Sequence, residues 1–387
     1  MITLRPLVFA AGAAFLAWPL LPLQAQSLYQ QNVEVSTGLE HDSNPGLSPT
    51  PAGGVTRWRV SPAYTLLRRD GQDDLTLKIG ATLEQSSNTA LSRDRRDGSV
   101  RGEWLHTEEN TIYSLRGGID QSALRDVLLQ ETGQLSTDGT RTTRNIEGFV
   151  AHQIDEIHTL SGGLSASWNR YSTDTVPNGR QYGANAEFSR AIQTGRDIYL
   201  AGSLSNFRSD SLVPGAAGAG VQGGMSSTMR GLAVGTRYVA PDDPWSWDVR
   251  VGAAHYGAIT GNTAATASGQ LAYKGARWST ALSFARQPVT DSLRGTFSPN
   301  QQVRASVEYA LTEFTRIALD ASYNRTKGLQ TDATRELGVR LSSELTPLWR
   351  VSLQLRHLHA SHDAIALPTR AGSTIAGLVF TYSHPDF

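Results

Sequence analysis

The 387-residue sequence contains no cysteine. Disulfide frameworks and thiolate chemistry are therefore excluded, and no thiol is present to carry a lipid anchor. It also lacks a surplus of either charge, since Lys+Arg and Asp+Glu each total 35. A nucleic-acid binder normally shows a basic excess, so no nucleic-acid partner is expected. Long hydrophobic runs are missing too. Beyond the first two dozen residues nothing approaches the ~20 apolar residues that a membrane helix needs. The mean hydropathy of −0.30 resembles that of a soluble protein. No Gly-x-Ser-x-Gly motif occurs, and no Ser, His and acid set is spaced so as to reveal a catalytic triad. Neither enzyme activity nor a cofactor is expected.

What is present begins with an export signal. Arg5 is followed by an apolar run from about Leu7 to Leu21, and Leu23-Gln24-Ala25 offers a small residue at a cleavage point. Pro19 and Pro22 interrupt that run and leave too few apolar residues to span a membrane. Residues 1–25 are thus expected to be a signal peptide and 26–387 the mature domain.

From Val33 onward, segments of about ten residues alternate apolar and polar side chains, the period of a strand with one oily and one wet face. Leu75, Leu77, Ile79, Ala81 and Leu83 alternate with Thr76, Lys78, Gly80, Thr82 and Glu84. Eighteen such segments run from 31–42 and 55–68 through 97–108 and 300–311 to 348–362 and 371–384. Tight turns such as Asp70-Gly71-Gln72 and Thr194-Gly195-Arg196 alternate with longer connections, notably 123–139 and 209–226. Short turns at one end and long loops at the other are the signature of a transmembrane, antiparallel, up-and-down β-barrel of the bacterial outer membrane, in contact with outer-membrane lipid. Trp245, Trp247, Trp278 and Trp349 fall at the periplasmic rim on this map, and Trp58, Trp168, Tyr182, Phe284 and Tyr323 at the opposite one, as two interfacial girdles. The final strand carries Leu378, Phe380 and Tyr382, while the terminal Phe387 is out of phase beyond Pro385.

If the apolar positions face lipid, the wet face lines a lumen. The channel-lining candidates are Arg57, Arg59, Lys78, Glu84, Glu103, Arg116, Asp120, Glu187, Arg237, Asp248, Arg250, Arg277, Arg304, Glu308, Asp320, Arg340, Glu344, Arg350 and Arg356. Charges of both signs among Ser, Thr, Asn and Gln suit a hydrated wall, and each taken alone suits a cross-strand brace. Loops 123–139 and 209–226 are long enough to fold inward as a constriction. Gly218 to Gly223 form a GxGxxG without the strand-to-helix context that phosphate binding requires, so the run reads as loop. His357, His359 and His362 with Asp363 suggest a metal site less than a cluster at the outer rim. No metal is expected.

One stretch carries a resemblance. Leu39-Glu40-His41-Asp42-Ser43-Asn44-Pro45, Asp120-Gln121-Ser122, Arg125-Asp126, Glu131-Thr132-Gly133 and Arg144, within Val33 to about Ser172, resemble outer-membrane β-barrel proteins associated with bacterial exopolysaccharide synthesis and export systems. The resemblance implies a polysaccharide-secretion channel working with periplasmic polysaccharide-export components. The residues themselves leave two alternatives open, a general or sugar-selective uptake porin and an outer-membrane enzyme of hydrolase or acyl-modifying type.

Overall fold

The computed structural model describes residues 28–131, 139–173, 176–210, 225–257, 261–292, 295–327, 331–363 and 368–385. The expected cleavage point at Ala25, the Gly218 to Gly223 run and Phe387 lie outside these residues. The strands are β1 (Leu28–Asp42), β2 (Val55–Asp70), β3 (Asp73–Ser86), β4 (Arg95–Thr107), β5 (Thr111–Ala123), β6 (Thr140–Gln153), β7 (His158–Tyr171), β8 (Gly179–Gln193) and β9 (Arg196–Ser209). They continue as β10 (Ser226–Val239), β11 (Trp245–Gly257), β12 (Asn262–Lys274), β13 (Trp278–Asp291), β14 (Thr296–Ala310), β15 (Thr315–Lys327), β16 (Thr331–Glu344), β17 (Trp349–Asp363) and β18 (Pro368–Pro385). One helix among the described residues, α1 (Leu124–Glu131), follows β5.

Each strand pairs antiparallel with the next, and β1 also pairs with β18 from Asn32↔Pro385 to Asp42↔Ile375. The sheet is therefore a closed 18-strand barrel. With ~4.8 Å between strands tilted by about 40°, the wall is roughly 36 Å across between backbones, wide enough for water unless something fills it. The pleat sorts the side chains. Leu164, Leu200, Leu232, Val251, Leu282, Leu337 and Leu353 are all exposed on one face, and that belt is the lipid-facing surface. Aromatic rings gather at its lower edge, where Tyr273 lies between Trp245 (4.8 Å between centroids) and Trp278 (4.5 Å) and Trp349 meets Tyr382. Trp168 and Tyr182 meet edge to face at the upper edge. These contacts bear out the two girdles. The tight turns use Gly71 and Gly195 at φ 63° and 74°, a left-handed conformation that suits glycine.

Two expectations need correction. The first, fourth, fourteenth and eighteenth strands open at Leu28, Arg95, Thr296 and Pro368, two to four residues earlier than the alternation suggested, because backbone pairing continues past the alternating side chains. The outer connections are long up to β10. From β11 onward they are short, with only residues 258–261, 292–295, 328–330 and 364–367 between strands.

The β13–β14 hairpin departs from the wall. It pairs internally as far as Asp291↔Thr296, yet β12 pairs with β13 only up to Ala267↔Arg286, and β15 with β14 only up to Thr326↔Asn300. Two prolines, Pro288 and Pro299, sit directly opposite each other just past those limits. A hydrogen-bonded antiparallel pair needs both residues to donate an N–H, and proline has none. The pair must be of the other kind, so the missing donors fall on the outer edges of the hairpin, toward β12 and β15. Freed from its neighbours, the tip folds over the lumenal side of the wall. Phe297 has the lipid-side parity of Val307 and Tyr309 but is buried (4% exposed) against Phe207 and Tyr256 from the inner faces of β9 and β11. Thr290 Oγ1 donates to Gln181 Oε1 on β8 at 2.9 Å, and Tyr171 Oη at the end of β7 donates to Ser292 Oγ at 2.9 Å.

Replacing Phe297 with Ala should cost the docked tip about 3–5 kcal/mol, the usual penalty for deleting a buried ring. The expected outcome is undocking without loss of the barrel, read as new cleavage between residues 291 and 300 by protease added to intact outer membranes. An unchanged cleavage pattern would show that this cluster does not hold the tip.

Candidate channel constriction

Even-numbered residues of β1 and odd-numbered residues of β2 face away from the exposed Leu39 and Trp58. That parity puts Glu40, Asp42, Arg57 and Arg59 on the lumenal wall. Arg57 is fully buried there: Nη1 donates to Glu40 Oε1 at 3.0 Å, Nη2 to Asp42 Oδ2 at 3.1 Å and Nε to Ser92 Oγ at 3.1 Å. Arg59 donates from Nη2 to Glu84 Oε2 at 2.6 Å, and Arg95 bridges Glu84 (3.5 Å) and Asp97 (3.4 Å). Arg356 of β17 reaches Glu40 at 3.5 Å and Glu336 at 3.4 Å. The network thus crosses from β16 through the β1–β18 seam to β4. Such a buried set is costly to desolvate, and it holds only while each charge keeps its partners.

Two inward-folded pieces rest on this network. After β1 the chain turns into the barrel. Asn44 Nδ2 donates to the carbonyls of Ser48 (2.8 Å) and Gly372 (3.0 Å), its Oδ1 accepts from Ser48 N, and Leu47 is buried against Leu358, Ala360 and Ala371. After β5, α1 buries Leu124 and Leu128 against Tyr171 and Val176. Arg125 reaches Asp42 at 3.5 Å and donates to the Pro45 carbonyl at 3.5 Å, while Asp126 lies 3.8 Å from Arg95. Desolvation pushes the Asp126 carboxyl up, but Arg125, Arg95 and Arg59 outweigh it and hold its pKa at about 2. A recess of about 160 Å³ remains between the wall and α1, lined by Glu84, Ser92, Arg95, Arg125, Thr140 and Ser172 among others. Together with the β13–β14 tip, these pieces narrow the outer end of the lumen from three sides.

Of the sequence-derived candidates, Arg57, Arg59, Glu84 and Arg356 meet in this network. Glu187 and Arg237 pair at 2.8 Å nearer the periplasmic end, where Arg237 also reaches Asp197 at 3.0 Å and Asp248 accepts from Tyr199 Oη at 2.8 Å. Glu103 pairs with Arg116 (3.7 Å), Asp120 with Arg101 (2.7 Å), Glu308 with Arg316 (3.3 Å) and Glu344 with Arg350 (3.3 Å), all as neighbouring-strand braces. Lys78, Arg250, Arg304, Asp320 and Arg340 have the lumenal parity of their strands. Arg277 departs from the expectation, because it sits in the turn before β13, where its carbonyl accepts from Ala310 N. Glu40, Asp42, Arg95, Asp97, Arg125 and Asp126 were not among the candidates, although the β1 parity alone would have found the first two. The histidines divide: His362 pairs with Asp332 at 2.7 Å on the lumenal face, whereas His357 and His359 share the outer face. Of loop 123–139, the described segment α1 folds inward. Loop 209–226 lies almost wholly outside the described residues.

Two outcomes follow. Arg57→Met strands Glu40 and Asp42, and removing one member of a buried ionic set costs about 3–5 kcal/mol. Such a barrel should still assemble, but residues 43–54 and α1 should become accessible to protease; full protection would refute the anchoring role. Asp126 ionises at a depressed pKa, so its contribution is complete above the ordinary carboxylate range and fades as pH falls toward 2. Protection of α1 should therefore be constant from pH 8 to 5, and a loss within that window would contradict the assignment.

No protein-family model and no curated protein sequence matches the chain. Among solved structures it is similar to Acinetobacter baumannii OccAB3, with 11% identity and a TM-score of 0.50 over 92% of this chain and 99% of that one. The outer membrane protein opdK from Pseudomonas aeruginosa gives 12% identity and 0.49 over 92% and 98%, and the FrpB iron transporter from Neisseria meningitidis 9% and 0.49 over 92% and 82%. What the chain shares with the first is the fold, and with that fold and its own apolar belt it is a β-barrel of the bacterial outer membrane.

Proposed function

We propose that the chain is a passive outer-membrane channel for small polar solutes, a porin rather than a conduit for polymer. The carrying observation is the form of the lumen: a wall of paired charges narrowed at its outer end by the 43–54 turn, α1 and the β13–β14 tip. Charges of both signs keep water in the bore without strong selection for one ion, and the inward pieces set an upper size for the permeant. The expected polysaccharide cargo and export partners gain no support from the fold likeness, and a long chain would have to thread past three docked segments. The Asp42-to-Pro45 and Arg125-Asp126 residues that suggested export are here explained by the constriction they build. Residues 1–25 fit this reading as the export signal, which the N-terminal sequence of the mature protein would test.

In planar bilayers the purified barrel should show steady ohmic conductance, and in liposome swelling it should pass mono- and disaccharides while excluding long oligosaccharides. Arg125→Gln should raise both conductance and the size limit by loosening α1. A barrel that conducts nothing, or one that passes long polymer as readily as monosaccharide, would overturn the proposal.

A further inference from the structure

The outward face at the level of the upper aromatic girdle carries an arc of arginines. β6 to β10 each place one there: Arg144, Arg170, Arg180, Arg208 and Arg230, all exposed. Their parity is that of the lipid-facing Ile146, Leu164, Tyr182, Leu204 and Leu232 on the same strands. Their level follows from the register, since Trp168 lies opposite both Arg144 and Arg180, and Leu204 opposite Arg230. Four strand spacings make the arc roughly 20–25 Å long.

Within the protein this arrangement is unfavourable. Arg180 and Arg208 are directly opposed across β8 and β9, and like charges in that position repel. All carboxylates of these five strands, Glu147, Glu187 and Asp197, have the lumenal parity. Among the described residues, the one acid paired with the arc is Asp210, just past β9 and 3.5 Å from Arg180. At the opposite rim, Arg190 and Arg196 face outward beside the β8–β9 turn, but on β2 Arg68 is paired with Asp70 at 2.6 Å, and Asp73 of β3 accepts from Trp104 at 2.9 Å, so outward charges of both signs are mixed there. Five arginines with one acid among them, beside rings that mark the interface and bordering leucines that mark hydrocarbon, need further anions at headgroup depth. Guanidinium favours phosphate because its planar donors match the oxyanion in pairs.

We infer that the outer rim of β6–β10 is a docking surface for the phosphorylated headgroups of an outer-leaflet glycolipid of the lipid A class. The acyl chains lie against the apolar belt below, and the phosphates bridge arginines on adjacent strands. Opposed cations such as Arg180 and Arg208 are then joined by a shared anion.

The test uses the full-length barrel in neutral detergent, titrated with bis-phosphorylated lipid A, with the same lipid stripped of both phosphates, and with phosphatidylglycerol, bound lipid being read by native mass spectrometry. The phosphorylated glycolipid should be retained at about ten-fold lower concentration than the stripped form. The combined variant Arg144→Gln, Arg170→Gln, Arg180→Gln, Arg208→Gln and Arg230→Gln should lose most of that preference, and the matching Lys variant should keep a part. The variant Arg68→Gln, Arg190→Gln and Arg196→Gln, altered at the periplasmic rim, should retain it. Heat-modifiable migration in SDS gels establishes that each variant is a folded barrel. Undiminished preference in the five-fold Gln variant, equal loss in the periplasmic-rim variant, or equal retention of phosphatidylglycerol would each overturn the assignment.

Discussion

Hydrocarbon offers no hydrogen bonds, and every backbone N–H and C=O at membrane depth must find its partner within the protein. For a chain without a single long apolar run, that leaves a sheet closed on itself. The β1–β18 ladder is therefore the condition on which the rest depends, because without it two edges would lie open to lipid. Closure also explains the composition. One side chain in two faces lipid and the other faces water, so the average hydropathy stays low although the lipid belt is continuous.

Closing eighteen strands creates a second problem, a bore wider than side chains can fill. The molecule meets it by folding backbone inward at the outer end, and each inward piece has a local cause. Asn44 closes the turn after β1 with its own side chain. The β13–β14 tip leaves the wall where two prolines remove the donors its neighbours would need. α1 is held by a leucine pair and by charges that belong to the wall behind it. The wet wall and its constriction thus use the same residues, since the arginines and carboxylates that line the lumen also tether what narrows it.

The outer surface has its own asymmetry. A barrel in a symmetric bilayer would have no reason to separate its rim charges by end, yet the outward face of β6–β10 gathers five arginines at its outer rim with only Asp210 beside them, while at the opposite rim Arg68 is paired with Asp70. A membrane whose outer leaflet is the more anionic would stabilise that distribution and fix the barrel's direction together with its girdles.

The barrel could be read from the residues alone. A period of two is local, each strand states it independently, and glycine at Gly71 and Gly195 marks the turns, so strand number, orientation and the parity of Arg57, Glu84 or Arg237 were legible. What it could not show was where side chains from distant strands converge. Glu40 and Arg356 are more than three hundred positions apart, and only closure brings them within 3.5 Å. Phe297 is the clearest case: its parity says lipid, and a hairpin that leaves its neighbours buries it in the lumen instead. Alternation reports the face a residue takes within its own strand, whereas contact depends on how the whole ring closes and bends, which is long-range and was decided by the tertiary structure alone.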